Sequence, residues 1–158
     1  MGSSMRLVFL LFAACVCLPA GAADIASCSN PTGRAYFPAV GLLSPNDAGW
    51  AEDKITGGIT KLVKLGAGEY DILFVDATKD IISARGDGAT VIPLNAGDNV
   101  FSVLVVYPGK TAEAYTFIKD SAGRLEYLQT TSRAGAGVPI AKASVMQGSC
   151  AYINFDAL

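Results

Sequence analysis

From Ile59 onward, the chain repeats a short apolar or alternating run followed by a cluster of turn residues. Tyr70 to Asp76 ends at Ala77-Thr78-Lys79-Asp80, and Asn99 to Tyr107 ends at Pro108-Gly109-Lys110. Regular short runs with Gly, Asp and Asn between them are typical of β-strands joined by tight turns. The pattern predicts about nine strands. Their ranges are 59–65, 70–76, 81–85, 89–94, 99–107, 112–119, 124–131, 140–147 and 150–155.

The gaps between these runs are too short for the crossover helices that parallel strands need. We therefore predict an all-β domain, most simply an antiparallel β-sandwich, with a small closed β-barrel as the alternative. The continuous apolar runs Ile72–Val75 and Phe101–Tyr107 are expected to be central strands. Upstream, in the region Ser44–Lys54, Ser44 and Pro45 are suited to open a helix that Gly49 would keep short and that would pack as a lid on one end of the domain.

The N-terminus has the order of a secretion signal. Arg6 precedes an apolar run from Leu7 to Leu18, and the small residues Ala20 to Ala23 follow it. We predict a cleaved signal peptide over residues 1–23, a single domain over residues 24–158, and export to a periplasmic or extracellular space. Lipid attachment at Cys15 is the alternative, and the richness in Ala and Gly favours a bacterial source.

Two cysteines lie outside the predicted signal, Cys28 near one end of the domain and Cys150 near the other. Export to an oxidising compartment favours a disulfide between them. Closing a loop of this length lowers the entropy of the unfolded chain, which is worth on the order of 4–5 kcal/mol.

Composition excludes several classes of partner. The chain carries 12 Lys and Arg against 14 Asp and Glu, a net charge of −2, without a basic cluster. Nucleic-acid binding requires a positive surface to neutralise phosphates, so no nucleic-acid partner is expected. Outside the predicted signal no apolar run reaches 18 residues, so no stable membrane span is predicted.

The chain has no histidine, which excludes Ser-His-Asp and Cys-His nucleophilic systems and histidine-ligated metals. Carboxylates near strand ends, among them Asp71, Asp87 and Asp98, are expected to serve turns. Lys142 and Ser144 are spaced to share a strand face but are expected to be surface residues. We assign no catalytic residue, cofactor or metal site, and an enzymatic role is disfavoured.

Aromatic residues supply the one sequence pattern that suggests a binding surface. Tyr and Trp add a large contact area at low entropic cost, so several on one face would form a binding surface. The alternative is that they alternate into the core like other strand aromatics. The candidate surface residues are Trp50, Tyr107, Tyr115, Phe117 and Tyr127.

We therefore expect a non-enzymatic exported module that binds a protein, glycan or small molecule. The first alternative is a small barrel that carries an apolar ligand, which requires an internal cavity. The second alternative is a hydrolase of envelope polymers, which requires two carboxylates facing one another.

Overall fold

The computed structural model describes residues 21–75 and 80–158, so residues 1–20 of the predicted signal peptide and Cys15 lie outside the described residues. The described chain is all-β and antiparallel, as predicted. No helix within these two ranges is long and apolar enough to cross a membrane. The strands are β1 (Ala23–Phe37), β2 (Gly49–Lys54), β3 (Ile59–Gly66), β4 (Glu69–Val75), β5 (Ile81–Ser83), β6 (Thr90–Gly97), β7 (Val100–Tyr107), β8 (Thr111–Lys119), β9 (Leu125–Arg133) and β10 (Lys142–Ile153).

The strands form one sheet in the order β5-β4-β3-β1-β10-β9-β8-β7-β6. Strand β1 pairs with β10 along one edge, while its other edge pairs first with β3 and then with β2. Between these two pairings, Asn30 adopts a φ of 51° and Pro31 is fully buried. Hydrogen bonds from Asn30 N to Gly58 O and from Ile55 N to Pro31 O hold the bulge, each at 3.0 Å. The bulge accommodates a proline, which cannot donate to a regular strand ladder.

The sheet curls so that strands far apart in its order touch across the interior. The Thr60 hydroxyl of β3 lies 3.3 Å from the Tyr127 hydroxyl of β9. The ring centroids of Tyr70 on β4 and Phe101 on β7 are 4.7 Å apart. Arg85 joins β4 to β6 because its Nε donates to Tyr70 O at 2.6 Å and its Nη2 donates to Val91 O at 3.0 Å.

The inner face of the curled sheet carries the hydrophobic core. Alternation along β7 places Phe101, Val103 and Val105 on this face, and all three are buried. Phe117 of β8 and Tyr127 of β9 stack beside them with ring centroids 6.2 Å apart. The C-terminal 3₁₀ turn Phe155–Ala157 packs against this core, at the end of the sheet that we call the base.

The predicted disulfide is confirmed. Cys28 of β1 and Cys150 of β10 are directly opposite one another in the ladder, and they are joined across a sequence separation of 122 residues. The bond therefore joins the two terminal strands in the middle of the sheet.

The short helix predicted within the region Ser44–Lys54 is wrong. Ser44 does cap one turn, since Asp47 N donates to Ser44 O at 3.0 Å and the Ser44 hydroxyl lies 2.6 Å from the Asp47 carboxylate. Gly49 then adopts a φ of 127°, which ends the turn. The following residues pair with β1 as β2 because a six-residue segment gains more hydrogen bonds from an existing strand than from a helix too short to propagate.

Candidate functional site

A cavity of about 590 Å³ lies between the curled strands at the end opposite the base. We call this end the mouth. Residues of the β7–β8 turn, of the loop after β9 and of the turn after β2 surround the cavity, among them Lys110, Val138 and Ile55. Its volume is within the range of pockets that hold small molecules, roughly 300–1,000 Å³.

Three polar side chains on neighbouring inner-face positions form a chain of hydrogen bonds on the cavity wall. The Tyr115 hydroxyl donates to Glu113 Oε2 at 2.7 Å, and Gln129 Nε2 donates to the Tyr115 hydroxyl at 3.2 Å. Glu113 and Tyr115 are two residues apart on β8, and Tyr115 is opposite Gln129 on β9, so the register directs all three inward. This arrangement orients the Glu113 carboxylate and leaves Oε1 without a partner among the described residues.

Burial changes the proton affinity of this wall. Removal from water raises the pKa of Glu113, against the opposing effects of the Tyr115 hydrogen bond and the positive charges of Lys142 and Arg133. Burial, with the adjacent Glu113 carboxylate, also raises the pKa of Tyr115 well above its usual range. The pKa of Tyr107, which lines the same cavity, rises to about 12, first through burial and then through the Glu113 charge. Both phenols therefore remain neutral hydrogen-bonding groups at physiological pH.

Glu113 differs from the other buried or half-buried carboxylates in its partners. Asp71 accepts hydrogen bonds from Ile72 N, the Ser83 hydroxyl and Arg85 N. Asp53 forms an ion pair with Lys142 at 2.7 Å. The ion pairs within residues 21–75 and 80–158 do not include Glu113.

Lys142 and Ser144 lie inside the curled sheet rather than on its surface. Ser144 is buried, and its Oγ has no hydrogen-bond partner among the described residues. The Lys142 ammonium is held by Asp53, whereas a Ser-Lys nucleophile needs a lysine that can accept a proton. This pairing favours a structural role for Lys142.

The Gly-rich loop after β9 is fixed against the β7–β8 turn. Ala134 N donates to Lys110 O at 2.9 Å. Gly135 adopts a φ of 122°, and a Cβ there would lie 2.1 Å from Gly109 O. Only glycine allows this approach, which places Gly137 and Val138 at the cavity.

The candidate aromatic residues are divided between the two faces of the sheet. Tyr107 and Tyr115 line the cavity, while Phe117 and Tyr127 are fully buried in the core below it. Trp50 is 65% exposed on the outer face, in edge contact with Tyr36 and with the Arg34 guanidinium 6.0 Å from its ring centroid. The structure thus brings together Tyr107 and Tyr115 but separates both from Trp50.

Two cavity residues, Glu113 and Gln129, were not predicted from the sequence. A signal was available: Glu113, Tyr115 and Phe117 alternate along one strand, which places a carboxylate on the same face as two aromatics. A charged residue at an inward-facing position is unusual enough to mark a candidate site.

Among the described residues, no group of three or more Cys, Asp or Glu side chains is placed to hold a metal ion. The polar residues that line the cavity include Glu113, Tyr107 and Gln129. No protein-family model, curated protein or solved structure matches this chain.

Proposed function

We propose that this protein is an exported, non-enzymatic binding protein that holds a small amphipathic molecule in the cavity at its mouth. The observation that carries this proposal is a cavity of about 590 Å³ whose wall combines apolar side chains with the oriented Glu113–Tyr115–Gln129 chain. Ligand pockets characteristically combine apolar walls with a few convergent polar groups. Of the expected functions, the ligand carrier agrees best with this geometry.

The barrel alternative for the fold is consistent with the proposal. Arg85 connects β4 and β6, which are near opposite ends of the strand order, and the interior contacts from β3 to β9 span the space between them. We infer that the sheet acts as a barrel-like cup whose base is filled by core side chains and whose mouth receives the ligand.

The neutral fluorescent probe N-phenyl-1-naphthylamine tests cavity binding directly. The probe is titrated into the protein purified after export under its own N-terminal segment, and into two variants that carry the same substitution on different faces. Val138→Trp fills the mouth, whereas Val145→Trp changes an exposed position on the outer face. We expect saturable binding by the wild type and Val145→Trp, and affinity at least about tenfold weaker in Val138→Trp. Absence of saturable binding by the wild type, or equal binding by all three proteins, contradicts the proposal.

The outer face supports a second candidate, an interaction surface for another macromolecule. Trp50 and Val145 are exposed there beside a shallow groove of about 330 Å³ lined by Leu104 and Ala114. Selective loss of probe binding in Val145→Trp favours this candidate. The hydrolase alternative has weaker support, because Glu113 already accepts a hydrogen bond from the Tyr115 hydroxyl and Asp87 is the one other carboxylate that lines the cavity within the described ranges.

A further inference from the structure

The charge of Glu113 restricts the chemistry of the ligand, on the condition that the cavity is a ligand site as proposed above. An inward-facing carboxylate without a direct ion pair is costly to ionise, since burial penalises the charged form. Asp71 accepts hydrogen bonds from backbone and hydroxyl groups, and Asp53 is paired with Lys142. Among the described residues, Glu113 accepts a hydrogen bond from the Tyr115 hydroxyl alone. Oε1 of Glu113 is therefore available to accept a hydrogen bond from a ligand in the cavity that Glu113 lines.

The other polar groups around Glu113 are suited to receive hydrogen-bond donors. Gln129 uses its amide Nε2 on Tyr115, so the unoccupied atom of its side chain is the Oε1 acceptor. The Tyr107 hydroxyl has no hydrogen-bond partner among the described residues and can accept as well as donate. A ligand group with several N–H donors matches three acceptors better than a carboxylate or ether does.

Apolar side chains line the part of the cavity formed by β3, β4 and the loop after β9. They include Ile59, Phe74 and Val138. Lys142 and Arg133 offset the Glu113 charge only in part. Lys142 is paired with Asp53, and the Arg133 side chain is exposed and therefore hydrated. The site thus combines one desolvated negative charge with an apolar wall.

We propose that the ligand is an organic cation, a protonated amine on an apolar body, whose ammonium binds Glu113 while its body packs on Ile59, Phe74 and Val138. The ammonium would donate a charge-assisted hydrogen bond to Oε1 and form the ion pair that Glu113 lacks among the described residues. The Tyr107 and Gln129 oxygens would accept hydrogen bonds from the remaining ammonium N–H groups.

Three probes of similar shape and different charge test whether the cavity prefers a cationic ligand. They are 2-phenylethylamine as the cation, 2-phenylethanol as the neutral analogue and 3-phenylpropionate as the anion, and each is titrated at pH 7.5 by calorimetry and by displacement of N-phenyl-1-naphthylamine. We expect the cation to bind at least about tenfold more tightly than the alcohol, as one charge-assisted hydrogen bond implies. Glu113→Gln keeps an acceptor for Tyr115, and should lower the affinity for the cation to about that for the alcohol. The matched control Glu52→Gln, on the exposed strand β2, should leave the preference intact.

The outcomes separate the two proposals. Equal affinity for amine and alcohol, unchanged by Glu113→Gln, overturns the cation assignment but leaves cavity binding intact if naphthylamine binding still depends on Val138. Tightest binding of the propionate also overturns it, and assigns the ligand to Lys110 and Arg133. Failure of every probe, including the naphthylamine, overturns the proposed function itself. Circular dichroism and urea unfolding of Glu113→Gln establish that any loss is not a loss of fold.

Discussion

Arg85 is predicted to hold β4 to β6, and its replacement should open the curled sheet at that point. Its guanidinium donates to the carbonyl oxygens of Tyr70 and Val91 at 2.6 and 3.0 Å. A buried hydrogen bond from a charged donor contributes about 1.5–3 kcal/mol to the free energy of unfolding. The two Arg85 bonds contribute less than this, because the Arg85 side chain is partly hydrated. We therefore expect Arg85→Met to lower the free energy of unfolding by about 2 kcal/mol, at about 1 kcal/mol for each bond lost.

Urea unfolding followed by circular dichroism measures this loss, and hydrogen exchange of the β4 and β6 amides locates it. Arg85→Lys separates charge from geometry, because an ammonium keeps the charge but lacks the planar fork, and should cost about half as much as Arg85→Met. Arg124→Met is the matched control: Arg124 is exposed and pairs with Asp120 in its own turn, so its loss should cost about 0.5 kcal/mol or less. An Arg85→Met protein as stable as this control, with unchanged exchange in β4 and β6, would refute the role assigned to Arg85.

Three further predictions concern the core and the cavity wall. Replacing both Cys28 and Cys150 by Ala should lower the free energy of unfolding in urea by about 5 kcal/mol, because the unfolded chain regains the entropy of a 122-residue separation; a loss below about 1 kcal/mol contradicts this. Gly148→Ala should cost about 2 kcal/mol by the same assay, since the added Cβ would lie 2.4 Å from Tyr127 Cε1; an unchanged midpoint shows that Tyr127 moves freely. The pKa of Glu113 is raised above its ordinary value of 4.5, so the folded state holds this proton more tightly and its contribution to stability falls as pH rises from about 4.5 through the raised pKa. Glu113→Gln should therefore be more stable than the wild type at pH 7, and the difference should vanish below pH about 4. Thermal melts across this pH range measure the difference in stability, and a variant less stable than the wild type at pH 7 contradicts the prediction.

Much of the strand arrangement could be predicted because it depends on local signals. Asp120 to Gly123 turn β8 into β9, and the predicted run 112–119 agrees closely with the observed Thr111–Lys119. The disulfide followed from the small number of cysteines outside the predicted signal and from the expected export. These signals are short-range or compositional, so they can be recognised without knowledge of the tertiary fold.

The first two strands could not be predicted because tertiary contacts define them. Strand β1 contains Asn30-Pro31 and Gly33, which are typical of loops, and it is a strand because β2, β3 and β10 pair along it. Pro31 is tolerated at a bulge whose existence depends on residues 55–58 opposite it. The same reason explains β2, whose polar sequence has little β-propensity of its own.

The candidate site was only partly predictable for a different reason. The two-residue period indicates which residues of β8 share a face, but it does not indicate which face turns inward until the sheet curls. Tyr107 and Tyr115 were identified as candidates because they are aromatic. Glu113 and Gln129 can be recognised as site residues only once the structure shows that they line the cavity. Trp50 was grouped with these residues by composition, and the pairing of β2 with β1 places it on the outer face.

Two side-chain N–H signals report directly on whether the inner cavity binds the ligand. Gln129 lines the cavity, and Trp50, the one tryptophan of the chain, lies on the outer face. In a ¹⁵N-labelled protein, 2-phenylethylamine should shift the Gln129 amide signals saturably and leave the Trp50 indole signal in place. A saturable shift of the Trp50 signal with an unmoved Gln129 amide would show that the outer face is the binding site and would contradict a ligand held inside the sheet.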